Sequence, residues 1–260
     1  MISRPLHSAR NLTSASVLLL AMLLLTLQLS AQEVLTTGTS HFTIKRSRGV
    51  QEADAQKVGD LLEQEYATIG EKLKFPLPDK IEINLYDSIG KYLSAAPGTR
   101  AWRGAVTVHD VIHVQPVREL EKRKALKQAL SYELAGIALE PVEKKGCPRW
   151  LSESFAVYES GELANLTPPI GTRLSSFSDL NQDMQSFLNP PRLSDVHYLL
   201  GQTMAFFVQK YGEQKAFSIF KGFDGNTGVE KAFKSVFGEE YPAVEKSWAR
   251  YIAFKTAPLK

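Results

Sequence analysis

The sequence predicts an α+β fold: a small mixed N-terminal sheet with packed helices, followed by a mostly helical C-terminal half. Three observations carry that prediction. Period-two alternation and β-branched runs are confined to the part of the chain before Gln115. From about Leu120 onward, apolar residues recur at helical spacing instead. The first part also reads as strand, helix, strand, helix, hairpin, an order that builds one small sheet with helices laid on it.

Taken in order, "HFTIKR" (41–46) is a short strand. Residues 52–73 place Val58, Leu62, Tyr66, Ile69 and Leu73 along one face of an amphipathic helix. "KIEINLY" (80–86) alternates Ile81, Ile83 and Leu85, the pattern of a half-buried strand. A short helix around "SIGKYLSAA" follows, and "AVTVHDVIHV" (105–114) reads as a hairpin with His109 and Asp110 at its turn. Beyond it, Leu126, Leu130, Leu134 and Ile137 form the apolar stripe of a helix carrying "LSYELAG", and "PRWLSESFAVYESG" opens the next helix. In that second helix Trp150, Leu151, Phe155 and Tyr158 have the spacing of a core face. Residues 164–195 hold "TPPIG" and "NPPR", proline pairs that end helices and mark loops. "LLGQTMAFFVQKYG", "QKAFSIFKGF" and "GVEKAFKSVFGEEYPAVEKSWARYI" complete the helical half.

The first segment stands apart from this plan. Arg4, His7 and Arg10 precede an apolar run from Ala15 to Leu29, and "SAQEV" follows. Residues 1–31 are expected to be a secretory signal peptide, or else an uncleaved N-terminal anchor. Either exports the domain, so the expected location is extracytoplasmic, with a membrane contact only through an uncleaved segment. The rest divides into an α/β part, 32–119, and a helical part, 120–260. Removing Arg4 and Arg10 from 31 basic residues leaves 29 against 28 acidic ones, a balance that gives no case for nucleic-acid binding. Cys147 is the single cysteine, so no disulfide forms within the chain; beside Pro148 and with no histidine nearby in sequence, it reads as a small buried hydrophobe.

Two stretches invite a metal. "HDVIH" (109–113) sets two histidines four apart, which on a helix would put both imidazoles on one face. On an extended strand the same pair is separated by roughly 13 Å, and the flanking valines and isoleucine favour strand. In "LSYELAG", by contrast, Ala129, Tyr132, Glu133 and Gly136 form a stripe beside the apolar one, so Glu133 sits at the edge of the buried face. A carboxylate there needs a partner, because an unpaired buried charge costs several kcal/mol.

"YELAG" followed by "PRWLSESFAVYESG" resembles the peptidase-MA-like branch of the gluzincins, the thermolysin-type zinc metallopeptidases. In that family a helix bearing H-E-x-x-H precedes a helix with a W-L-x-E-G-x-A-x-Y type run. The resemblance implies a zincin-like fold, with Glu133 at the general-base position and Glu153 at the third metal-ligand position. Tyr132 and Gly136 stand where the two histidines belong, and Ser154 replaces the glycine after the ligand. Tyr198 falls near the downstream residue that helps stabilise the oxyanion in such enzymes.

These departures set the chemical expectation. A catalytic zinc needs three protein donors and a water whose pKa it lowers to about 7. Glycine offers no side-chain donor, and tyrosine coordinates only as a phenolate, from a pKa near 10. The implied protein is therefore a pseudo-metallopeptidase without a cofactor, acting on an unidentified peptide or protein partner by binding, or as a scaffold. The alternative is an active zinc peptidase with reorganised ligands, in which His197 joins Glu153 and Glu133. In the metal-free reading Glu153 caps its helix or pairs with Arg149.

Overall fold

The computed structural model describes residues 34–98, 103–172, 174–184 and 190–258; the expected leader, residues 1–31, lies outside them. Five strands, β1 (Leu35–Gly38), β2 (Phe42–Arg46), β3 (Ile81–Leu85), β4 (Ala105–Val108) and β5 (Val111–Val114), form one sheet of order β1-β2-β3-β5-β4. β2, β3 and β5 run parallel, while β1 and β4 are antiparallel edges, so the sheet is mixed as expected. At the tip of the β4–β5 hairpin, His109 (φ 49°) and Asp110 (φ 63°) are both left-handed, the backbone that a two-residue hairpin turn requires.

Alternation decides which way each strand faces. Phe42, Ile44, Ile81, Ile83, Leu85, Ile112 and Val114 are buried together on one side. Helix α1 (Glu52–Leu73) lies against β1 and β2 and covers them with Val58, Leu62, Ile69 and Leu73. Acidic Glu52 and Asp54 in its first turn and Lys72 in its last complement the helix dipole. The short helices α2 (Ile89–Ala95) and α3 (Val117–Lys122) follow β3 and β5 respectively.

Helix α4 (Leu126–Glu143) packs against α1 and β4, and α5 (Arg149–Glu159) packs against α4. Gly104, just before β4, permits the close approach of strand and helix: a Cβ there would meet Leu120 at 2.8 Å and Ala129 at 2.9 Å. Two buried carboxylates tie these helices to α1. Glu65 accepts from Ser131 at 2.7 Å and pairs with Lys127 at 3.1 Å, and Glu159 takes both its contacts from Lys72 at 2.8 Å.

The helical half continues through α6 (Phe177–Met184), α7 (Pro190–Tyr211), α8 (Glu213–Ser218), α9 (Val229–Phe237) and α10 (Tyr241–Lys255). "NPPR" was expected to lie in a loop, yet α7 begins at Pro190, where a fixed φ suits the first turn of a helix. An aromatic cluster fills the centre of this half: Trp150 stacks on Phe177 at 4.3 Å, and Phe177 lies 4.5 Å from Trp248. Trp248 satisfies its buried N–H by donating to Thr203 Oγ1 at 2.9 Å. Trp150, Leu151 and Phe155 are core, as their spacing predicts, and Tyr158 is half-buried against them. Among the described residues, no helix is long and apolar enough to cross a membrane.

Candidate functional site

Helical spacing places the site. Leu126, Leu130, Leu134 and Ile137 turn the stripe of α4 inward, which leaves Tyr132, Glu133 and Gly136 facing β4 and the start of α5. The chain reverses through residues 144–148, with Gly146 left-handed at φ 97°, and brings Arg149, Ser152 and Glu153 back alongside. Tyr132, Glu133, Gly136 and Glu153 thus line one cavity of about 230 Å³.

Glu133 is 6 % exposed and takes three hydrogen bonds. Arg103 Nη2 donates to Oε1 at 3.0 Å; the Thr107 backbone N–H and its hydroxyl both donate to Oε2 at 2.8 Å. The N–H of Thr107 belongs to edge strand β4, so the strand is tied directly onto the Glu133 carboxylate. Burial works against the charge of Arg103, but Glu133, followed by Tyr132 and Glu153, outweighs it and raises the guanidinium pKa.

Around Tyr132 and Glu153 the side chains bind each other. The Tyr132 hydroxyl donates to Glu153 Oε2 in a short hydrogen bond. Arg149 donates to Oε1 from Nε at 3.2 Å and from Nη2 at 3.1 Å, a pair within one turn of α5. Burial first, then the charge of Glu153, push the Tyr132 phenol well above its ordinary pKa. Arg103 also lies 5.6 Å from the centre of the Tyr132 ring, and His197 stacks on that ring at 5.7 Å.

Tyr132 and Arg103 stand between two spaces. The second cavity, about 160 Å³, is bounded by Arg103, Tyr132, Glu133, Glu162 and His197 but not by Glu153. His197 Nδ1 is engaged with Glu162 at 2.9 Å, and Tyr132, stacked on this histidine and bonded to Glu153, lies between the two. Tyr198 is not brought to the site: its hydroxyl donates to the Lys255 carbonyl at 3.4 Å, on α10. His113 sits on β5, 2.6 Å from the Tyr86 hydroxyl, and His109 is in the turn, so the "HDVIH" pair is divided as strand geometry requires. Cys147 is buried, and burial pushes its thiol far above the ordinary range, which disfavours the nucleophilic thiolate.

Zinc is the metal that the resemblance implies, and these residues do not fit it. Position 132 offers a protonated phenol already committed to Glu153, position 136 offers nothing, and both oxygens of Glu153 are engaged. Among the described residues, no group of three or more His, Cys, Asp or Glu side chains is placed to share an ion.

Sequence reasoning reached Glu153–Arg149, because a spacing of four on a helix is readable. It missed Arg103, Thr107 and the Glu162–His197 pair, which come from separate elements. It also missed Glu143, whose carboxylate accepts from Ser152 and whose pKa is raised by burial against that bond, with nearby Glu153 adding to the rise.

No family model matches the chain, and no curated protein matches it. Among solved structures, it is similar to a mutant M1 zinc metallopeptidase from Deinococcus radiodurans bound to a Tyr-Ser-Ala substrate, at 15 % identity and a TM-score of 0.41. That alignment covers 84 % of this chain and 51 % of the other, so the chain spans about half the length of the metallopeptidase.

Proposed function

We propose that this protein is an exported, gluzincin-like pseudo-metallopeptidase that acts by binding or as a scaffold rather than by hydrolysis. One observation carries the reading: at the positions where the resemblance expects metal and base chemistry, the side chains satisfy one another. Tyr132 and Arg149 hold Glu153, while Arg103 and Thr107 hold Glu133. A glutamate whose oxygens already accept from a guanidinium and two further donors is not poised to take a proton from a water. The two cavities, about 230 and about 160 Å³, are each smaller than the roughly 300–1,000 Å³ of a typical small-molecule site. They suit a single side chain of a partner better than an extended substrate.

The test is hydrolysis of an internally quenched peptide library by the purified protein, with zinc added and with a chelator added. No turnover above buffer is expected under either condition. Chelator-sensitive cleavage would establish the alternative, a zinc peptidase with reorganised ligands, in its place.

A further inference from the structure

A larger cavity, about 650 Å³, lies away from the Tyr132–Glu133 cleft and, among the described residues, shares none with it. Its floor is the outward face of the sheet, where Lys45 of β2 and Glu82 of β3 stand, and its wall is one face of α2, bearing Lys91 and Ala95. Arg46 and Tyr86, at the carboxyl ends of the parallel strands β2 and β3, line it as well. Crevices at the carboxyl ends of parallel strands are where open sheets commonly hold ligands.

Among the lining residues, basic side chains outnumber acidic ones. Lys45, Arg46 and Lys91 face a single lining acid, Glu82. Lys45 pairs with Glu82 at 2.5 Å and Lys91 with Asp87 at 2.7 Å, yet the two lysines keep 40 % and 42 % of their side chains exposed. Pairs so well solvated are weak, and their ammonium groups can turn to another acceptor at little cost. Arg46 is fixed by a bond to the Val50 carbonyl at 3.0 Å and pairs at 3.7 Å with the exposed Glu52, and its Nε is buried with no hydrogen-bond partner among the described residues. Tyr86 is held in place by its contact with His113, so the apolar part of the wall is preformed.

We propose that this cavity binds a small amphipathic anion. An apolar body would lie against Tyr86 and Ala95, and a single carboxylate would sit between Lys45 and Lys91. The volume falls within the range of such sites, roughly 300–1,000 Å³.

Calorimetric titration of the purified protein with three ten-carbon probes tests this: decanoate and decyltrimethylammonium, each below its micelle concentration, and decanol below its solubility limit. Decanoate is expected to bind saturably, one per chain, with decanol about tenfold weaker and the cation not binding. Lys45→Glu with Lys91→Glu should weaken decanoate about tenfold, ~1.4 kcal/mol. Ala95→Trp, which fills the cavity from an exposed helix position, should abolish binding while circular dichroism stays unchanged. Absence of saturable decanoate binding, equal binding of all three probes, or undiminished binding by either variant would overturn the proposal.

Discussion

Consider removing the ion pair that holds Glu133. Arg103→Met leaves Glu133 with only the two Thr107 donors, in a site where the glutamate side chain is 7 % exposed. At the 3.0 Å separation of the pair, Coulomb's law gives about 5.5 kcal/mol at an effective dielectric of about 20. That is a gross attraction. Arg103 keeps 34 % of its side chain exposed, so screening and the cost of burying the carboxylate bring the net coupling to about 1–2 kcal/mol. Glu133→Gln alone turns an amide N–H toward the guanidinium and should cost about 1–3 kcal/mol. Combining Arg103→Met with Glu133→Gln removes the charge and the orphaned partner together, so the double variant should be markedly more stable than the two single losses sum to. Urea denaturation of the wild type, both single variants and the double variant yields the coupling directly. A coupling below about 0.3 kcal/mol would refute the claim that Arg103 and Glu133 act as a unit.

Other outcomes follow from the same geometry. Gly136 is exposed in the middle of α4 and a Cβ there meets nothing within 4 Å, so Gly136→Ala should stabilise the protein by about 0.5–1 kcal/mol in urea denaturation. For the same steric reason Tyr132→His with Gly136→His should be tolerated and, with Glu153 released from the phenol, should take up about one zinc per chain, read by metal analysis. Failure to take up zinc would count against the carry-over of ligand positions. Glu143, raised by burial despite the Ser152 bond, binds its proton more tightly folded than unfolded. Its contribution is therefore favourable below the ordinary carboxylate range and is lost as pH rises through the raised value. Glu143→Gln should accordingly stabilise the protein at pH 7 and make little difference at pH 4, as thermal melts at the two pH values would show.

The architecture was largely readable because most of its elements have clean periods. Helix α1 occupies the predicted 52–73, and the hairpin places His109 and Asp110 at its turn. β1 escaped detection: its four residues, "LTTG", offer one apolar side chain and end in glycine, too little for a period-two signal. α3 is six residues long and equally silent. At the site, the arrangement of Tyr132, Glu133, Gly136 and Glu153 followed from helical spacing and from the resemblance. Their partners did not, since Arg103 and Thr107 are separated from Glu133 by 30 and 26 residues and no local pattern records which side chain crosses such a gap. Tyr198 shows the converse limit. Proximity in a motif said nothing about direction, and packing of α7 against α10 turned its hydroxyl away from the cleft.

The central proposal is that Tyr132 and Glu153, which satisfy each other at positions where the resemblance expects metal ligands, hold no zinc. Its most direct test is the metal content of the purified wild-type protein after incubation with equimolar zinc and desalting. The prediction is below about 0.1 zinc per chain, because the site supplies no set of three free donors. Retention of about one zinc per chain, removable by a chelator, would contradict it.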